Sequence, residues 1–263
     1  MDGTKSNQCR IIGSYFVIGT CDEGDIKLDQ VEHFARHDLV WLSHQAWASV
    51  FAQQLARVPD EMTGLIVQSL HRWQQEEWPA VVRRRDADAA EDEVCIGFAL
   101  VPVNGRKPRV AARIKAQDIL EHQPSLSLAT VIPFVAPLWQ PTLRTFNSEA
   151  SVVGVRWRVY GSLVFQFLTG QTYVNEQSDI DVLFRPQTQE HLIQGLALLR
   201  QYQSQIPLDG EVIFPQGQAV AWKEWLLSDL VPESSHNQRL LVKDHQQVRL
   251  VSKLELLQSL TAV

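Results

Sequence analysis

Cysteine is nearly absent from this 263-residue chain, with copies at Cys9, Cys21 and Cys95 alone. Their odd number and wide spacing exclude a disulfide framework and a metal knuckle, which need thiols at short, paired intervals. No apolar run approaches the ~18 residues that cross a bilayer, so no membrane is expected among the partners. The segment Met1 to Arg10 is polar and lacks the charged-then-apolar order of a secretory signal, which makes the cytoplasm the expected location. A surplus of positive charge is missing too. The net charge is −6, and on either side of Asn147 the chain holds 15 Lys+Arg against 18 Asp+Glu and 9 against 12. Neither part carries the basic bias through which polymeric nucleic acid releases counterions, whereas a small anion needs only a few local donors. The eight histidines show no ligand spacing, so zinc is not expected.

What is present, 45% hydrophobic and 21% charged residues, is the composition of a folded globular chain. Its length allows one large domain or two ordinary ones. Tyr15-Phe16-Val17-Ile18 reads as a short strand and Asp22-Glu23-Gly24-Asp25 as a turn, but residues 1–30 form an extension with no assigned role. From Asp38 to about Trp78 the spacing predicts helix, through Val40, Trp41, His44, Trp47, Val50, Phe51 and Leu55, then Leu65, Leu70 and Trp73, stopped by Pro79. Val94–Phe98 and Arg109–Ile114 read as strands joined by the Asn104-Gly105 hairpin signal. Pro124, Pro133, Pro137 and Pro141 suggest a linker or boundary within 122–145. The expectation is therefore an α/β (α+β) protein with an N-terminal α+β domain over 1–145 and a second domain over 146–263.

The second part carries the chemistry. A strand over Val155–Tyr160 leads into Gly161-Ser162 and a helix over Leu163–Leu168 that ends at Gly170. Ile180–Phe184 is the next strand, Gln189–Gln203 an amphipathic helix, and Glu211–Phe214 a third strand. Asp179 and Asp181 lie two residues apart at a strand entry, so both carboxylates face one side. Like charges at that spacing repel, and a shared cation relieves them. Mg²⁺ (or Mn²⁺) suits a site of few carboxylates completed by water and phosphate oxygens. Gly161 lets backbone approach a ligand, and Ser162 with the free N–H groups of the helix start offers an anion site. Together these residues predict a metal-assisted phosphoryl-type transfer. A third acid is expected from Asp209-Gly210-Glu211, where alternation leaves Asp209 and Glu211 equally eligible as general base or second metal ligand.

The motifs Arg158-Val159-Tyr160-Gly161-Ser162, Leu168-Thr169-Gly170, Ser178-Asp179-Ile180-Asp181 and Asp209-Gly210-Glu211 resemble the nucleotidyltransferase superfamily that includes DNA polymerase beta and the aminoglycoside nucleotidyltransferases. The resemblance is closer to one branch, malonate decarboxylase holo-acyl-carrier-protein synthase, a phosphoribosyl-dephospho-CoA transferase. Arg36-His37-Asp38-Leu39-Val40-Trp41, Trp78-Pro79-Ala80-Val81-Val82-Arg83-Arg84 and Ala219-Val220-Ala221-Trp222-Lys223-Glu224 extend it over roughly 33–260, with Ile180 and Val182 in place of leucines. The resemblance implies a polymerase-beta-like palm as the second domain. It also implies transfer of a prosthetic group from triphosphoribosyl-dephospho-CoA to a serine of the apo acyl-carrier subunit of malonate decarboxylase, with release of pyrophosphate. Transfer to another small-molecule or protein acceptor, and a non-catalytic nucleotide-binding subunit, are the alternatives.

Further basic residues are candidates for phosphate: Lys223 and Lys243, each also readable as a surface lysine, and Arg83 and Arg84. Arg83-Arg84-Arg85 can equally meet an acidic carrier or form a solvated face. Asp38 reads as a helix cap, and Arg36 and His37 as candidates for the domain interface or the substrate. Trp157 and Trp222 read as core. No Ser–His or Cys–His pair accompanies the acids, so the attacking hydroxyl is expected from an outside protein.

Overall fold

Ser43 marks a change of period. Before it, β1 (Leu39–Leu42) alternates between two cores, with Leu39 and Trp41 in one and Val40 and Leu42 in the other. After it, the Ser43 hydroxyl accepts the Ala46 N–H at 3.1 Å and opens α1 (His44–Leu55). The helical expectation is thus corrected at its first turn, because a strand buried on both faces has no polar side to reveal its period. Asp38 caps no helix; it accepts from the Ala35 N–H at 2.9 Å and pairs with His122 at 2.8 Å. The computed structural model describes residues 34–56, 61–101, 108–229 and 238–260. The strand read at Tyr15–Ile18, the turn at Asp22–Asp25 and the Asn104-Gly105 turn lie outside the described residues.

Helix α2 (Glu61–Gln75) buries Leu70 and Trp73 but leaves Leu65 exposed. Then β2 (Ala80–Val82), β3 (Glu93–Ala99), β4 (Arg109–Lys115) and β5 (Ile119–Gln123) complete an antiparallel sheet in the order β4-β3-β2-β1-β5. β3 and β4 pair from Glu93↔Lys115 to Ala99↔Arg109, as the hairpin signal predicts. Trp47, Val50, Leu70 and Trp73 cover one face of this sheet, against Val82, Ile96, Phe98 and Val110.

The proline-bearing stretch is folded rather than extended. α3 (Leu128–Val131) is capped by Ser127 and runs into a 3-10 turn that contains Pro133. Pro141 lies in the first turn of α4 (Gln140–Val152), where its missing N–H has no helical partner to lose.

The second sheet follows. The strand expected over 155–160 contracts to β6 (Arg158–Val159), and Trp157 just before it lies in the core, stacked on Phe146 at 4.7 Å. α5 (Ser162–Thr169) ends at Gly170 in the left-handed conformation. β7 (Ile180–Phe184) and α6 (Gln189–Tyr202) match their predicted positions closely, with Leu192, Leu196, Leu199 and Tyr202 buried. β8 (Leu208–Ile213) begins earlier than expected, so Asp209-Gly210-Glu211 lies within the strand. The remaining elements are β9 (Ala219–Ala221), α7 (Trp222–Ser228), β10 (Arg239–Lys243), β11 (Val248–Ser252) and α8 (Lys253–Gln258). The sheet order is β11-β10-β9-β8-β7-β6; β7 and β8 run parallel across the α6 crossover, and the other pairs are antiparallel. Trp157 and Trp222 are core residues, as expected. The architecture is mixed α/β with two sheets, and no helix among the described residues is long and apolar enough to cross a membrane.

Candidate active site

The parallel register of β7 and β8 builds the site. Ile180 lies beside Leu208, Asp181 beside Asp209 and Leu183 beside Glu211. Side chains alternate along each strand, so Ile180, Val182, Leu208 and Val212 enter the large core. Asp181, Asp209 and Glu211 emerge on the opposite face, where Tyr160 packs on Leu183 and Ile213. Asp179 is exposed, one residue before β7. Gly210 is required between the two acids. Its φ is +131°, and an added Cβ would lie 1.9 Å from the Val182 carbonyl oxygen.

Gly161 brings the other motif to the same point. It caps α5 at φ +71°, and a Cβ there would sit 2.3 Å from Asp181 Oδ2. The Gly-Ser turn and the acid strand, twenty residues apart in the sequence, thus meet at one carboxylate. The Asp181 carboxyl is pushed up to about 6, first by burial and then by the charges of Asp209, Asp179 and Glu211.

Glu211 is buried more deeply than the half-buried Asp181 and is differently partnered. Arg36 Nη2 donates to its two oxygens at 3.1 and 3.3 Å, Lys243 Nζ stands at 3.4 Å and His37 Nε2 at 3.5 Å. Burial works against its charge; the contacts from His37, Arg36 and Lys243 outweigh burial and hold the carboxyl at about 2. His37 has φ +73°, unusual outside glycine, and its ring lies 4.1 Å from that of Tyr160. Burial lowers the pKa of His37, against the opposing pull of Glu211. Asp209 is paired with Lys223 at 3.3 Å, both partly exposed.

A cavity of about 510 Å³ opens between the two sheets, with Gly161, Ser162 and Asp181 in its lining. Arg36, Arg84, Arg109 and Lys243 supply cationic walls. Of the arginine triple, Arg83 reaches the cavity, but its guanidinium binds Asp86 at 2.5 and 2.6 Å and the Ile96 carbonyl at 3.2 Å. Arg85 donates to the backbone carbonyls of Glu93 and Ala89 at 2.7 and 2.9 Å. Arg84 alone of the three is exposed. Lys223 does not line the cavity; its ammonium lies 5.5 Å over the Trp222 ring. Sequence reasoning missed Arg109 and Tyr160. Arg109 opens a hairpin strand far from the acids in sequence, and nothing local points it at them.

The residues fit a divalent cation of one kind. Among the described residues, no three His, Cys, Asp or Glu side chains are gathered as a ready cage. Mg²⁺ does not need one, since it commonly takes one or two carboxylates and completes its shell with water and phosphate. The raised Asp181 carboxyl, which feels the charges of Asp209 and Asp179, is where such a cation would relieve repulsion.

Comparison with known proteins bears on the same residues. Residues 35–125 match the model of the phosphoribosyl-dephospho-CoA transferase MdcG N-terminal domain, and 127–254 that of the MdcG C-terminal domain. The phosphoribosyl-dephospho-CoA transferase of Xanthomonas campestris pv. campestris (strain 8004) is 32% identical over 223 residues, covering 84% of this chain and 95% of the relative. That of Xanthomonas euvesicatoria pv. vesicatoria (strain 85-10) is 34% identical over the same shares of both chains. That of Bradyrhizobium diazoefficiens is 32% identical over 191 residues, 72% of this chain and 80% of the relative. No solved structure matches.

Proposed function

The chain belongs to the phosphoribosyl-dephospho-CoA transferase family, and on that premise we propose that it transfers the phosphoribosyl-dephospho-CoA group from triphosphoribosyl-dephospho-CoA to a serine of the apo acyl-carrier subunit of malonate decarboxylase, releasing pyrophosphate. The observation that carries this reading is the meeting of Gly161-Ser162 with Asp181 and its register partner Asp209 beside a cation-walled cavity. The second sheet serves as the palm of a nucleotidyltransferase.

Asp179 and Asp181 would hold Mg²⁺ or Mn²⁺, which would supply charge neutralisation at the phosphates. Ser162 and the N–H groups that open α5 receive phosphate oxygens. Arg36 and Lys243, fixed by Glu211, and Arg84 and Arg109 from the first sheet counter the charge that grows on the leaving pyrophosphate. The serine oxygen of the carrier bonds to the α-phosphorus as the bond from that phosphorus to the pyrophosphate oxygen breaks. Asp209 takes the serine proton, because its side chain is partly exposed beside Asp181. Glu211 is unsuited to that step, since a carboxyl held at about 2 by three basic neighbours is a weak base. Its part is to position Arg36 and Lys243.

The test is intact-mass measurement of the apo carrier after incubation with the enzyme, Mg²⁺ and triphosphoribosyl-dephospho-CoA. The expected result is a single mass increase equal to the phosphoribosyl-dephospho-CoA group, with one equivalent of pyrophosphate. An unmodified carrier, or transfer through a nucleotide bound covalently to the enzyme, overturns the proposal.

A further inference from the structure

Register partners cross the first sheet in one row: Leu39, Val81, Gly97 and Ala111. Paired residues of antiparallel strands share a face, so this row presents one surface, opposite the face that α1 and α2 cover. Its side chains shrink along the way. Leu39 is buried in the core of the second sheet and Val81 packs against that core. At Gly97 and Ala111 the side chains no longer reach across, and the cavity opens there. A Cβ added at Gly97 would meet only ordinary contacts, 3.6 Å from the Val110 carbonyl oxygen and 4.0 Å from Arg83 Cδ, so the backbone does not demand glycine. The space in front of it is what the glycine leaves.

Two aromatic rings wall this floor. Phe165 sits in the first turn of α5, its N–H directed to the Gly161 carbonyl at 3.4 Å, so the wall and the phosphate turn belong to one helix. Tyr173 donates its hydroxyl to the Ala99 carbonyl at 2.9 Å, which ties the second ring to the sheet edge, and the two rings lie 5.8 Å apart. Arg84 and Arg109 stand on the lining as polar groups.

We propose that this floor is a subsite for the adenine base of the donor, which lies flat over Gly97 and Ala111 against Phe165 and Tyr173 while its phosphates reach Ser162 and Asp181. The assignment rests on the transferase reading for the identity of the donor. The chemistry divides the lining: Ser162 and Asp181, with Arg36 and Lys243, suit phosphate and metal, and the small-residue floor with its aromatic walls suits a π-face. A volume of about 510 Å³ lies within the range of roughly 300–1,000 Å³ that small-ligand sites occupy.

Titration calorimetry on the full chain tests the subsite with two probes, dephospho-CoA, which has the base but no triphosphate, and inorganic tripolyphosphate, which has no base. Gly97→Val and Ala111→Leu each fill the space the base needs and should weaken dephospho-CoA roughly tenfold or more, as much as losing one base-stacking contact, and leave tripolyphosphate within about twofold. Dephospho-CoA binding at wild-type strength in both variants overturns the subsite, as does equal weakening of both probes. Saturation-transfer NMR on the wild-type chain gives an answer even if a variant fails to fold. Strongest transfer to the adenine H2 and H8 protons supports the base, and strongest transfer to the pantetheine methyls overturns it. A wild-type chain that binds dephospho-CoA in this way but leaves the apo carrier unmodified removes the transferase reading and keeps the base subsite.

Discussion

Asp181 and Glu211 stand on neighbouring strands, on one sheet face, two register positions apart. Both are withdrawn from water, and burial opposes the charge of each. Yet one carboxyl is pushed up to about 6 and the other held at about 2. The difference lies in their neighbours. Glu211 has Arg36, His37 and Lys243 within 3.5 Å, while Asp181 faces Asp209 and Asp179. A compensated buried charge holds a structure together. An uncompensated one is a cost to the fold that persists where a ligand supplies the missing charge. The contrast tells two acids of one strand pair apart by their neighbours, without reference to either motif.

The largest expected effect is on turnover. Asp181→Asn should lower transfer about a thousandfold or more, roughly 4 kcal/mol of transition-state stabilisation, by removing a metal ligand. Steady-state kinetics at saturating Mg²⁺ measures it, and a variant within tenfold of wild type would erase the contrast. Next, Glu211→Ala should cost about 3 kcal/mol of stability in urea unfolding, because Arg36 is left largely buried without its partner. A loss below half that value would mean that the cluster is solvated.

The two acids should then respond to pH with opposite signs. A carboxyl raised by folding destabilises the native state as pH climbs from the unfolded pKa, ~4, towards its folded value. Asp181→Asn should therefore match wild-type stability near pH 4 and exceed it by about 1–2 kcal/mol above pH 6 without metal, after allowance for screening. Glu211, lowered by folding, contributes stability above ~4.5 that is lost as pH falls towards about 2. The deficit of Glu211→Ala should accordingly shrink in acid, while the gain of Asp181→Asn vanishes there. Unfolding midpoints from pH 3 to 8 check both signs. The smallest effect is that of Ser162→Ala, about 1 kcal/mol on kcat/KM from one lost donor to phosphate. An unchanged constant would confine the Gly-Ser turn to shaping Asp181.

The sequence by itself determined the chemistry-bearing elements: β7 and α6 in place, α5 between Gly161 and Gly170, and the acids on one face. These are local properties, since period two along a strand and glycine at a turn act over a few residues. It left β1 inside a helix, because a strand buried on both sides carries no alternation to read. The choice between Asp209 and Glu211 stayed open for the same reason: alternation gives both acids one face and says nothing about what faces them. Only the tertiary structure gives the two acids different surroundings, by folding Arg36 and His37, more than 170 residues earlier in the chain, against Glu211 and leaving Asp209 beside Asp181. It also decided which arginine of the triple stays exposed, through Asp86 and the carbonyls that bind Arg83 and Arg85. Charge compensation acts through space between segments that chain order keeps apart, so no window of sequence contains it.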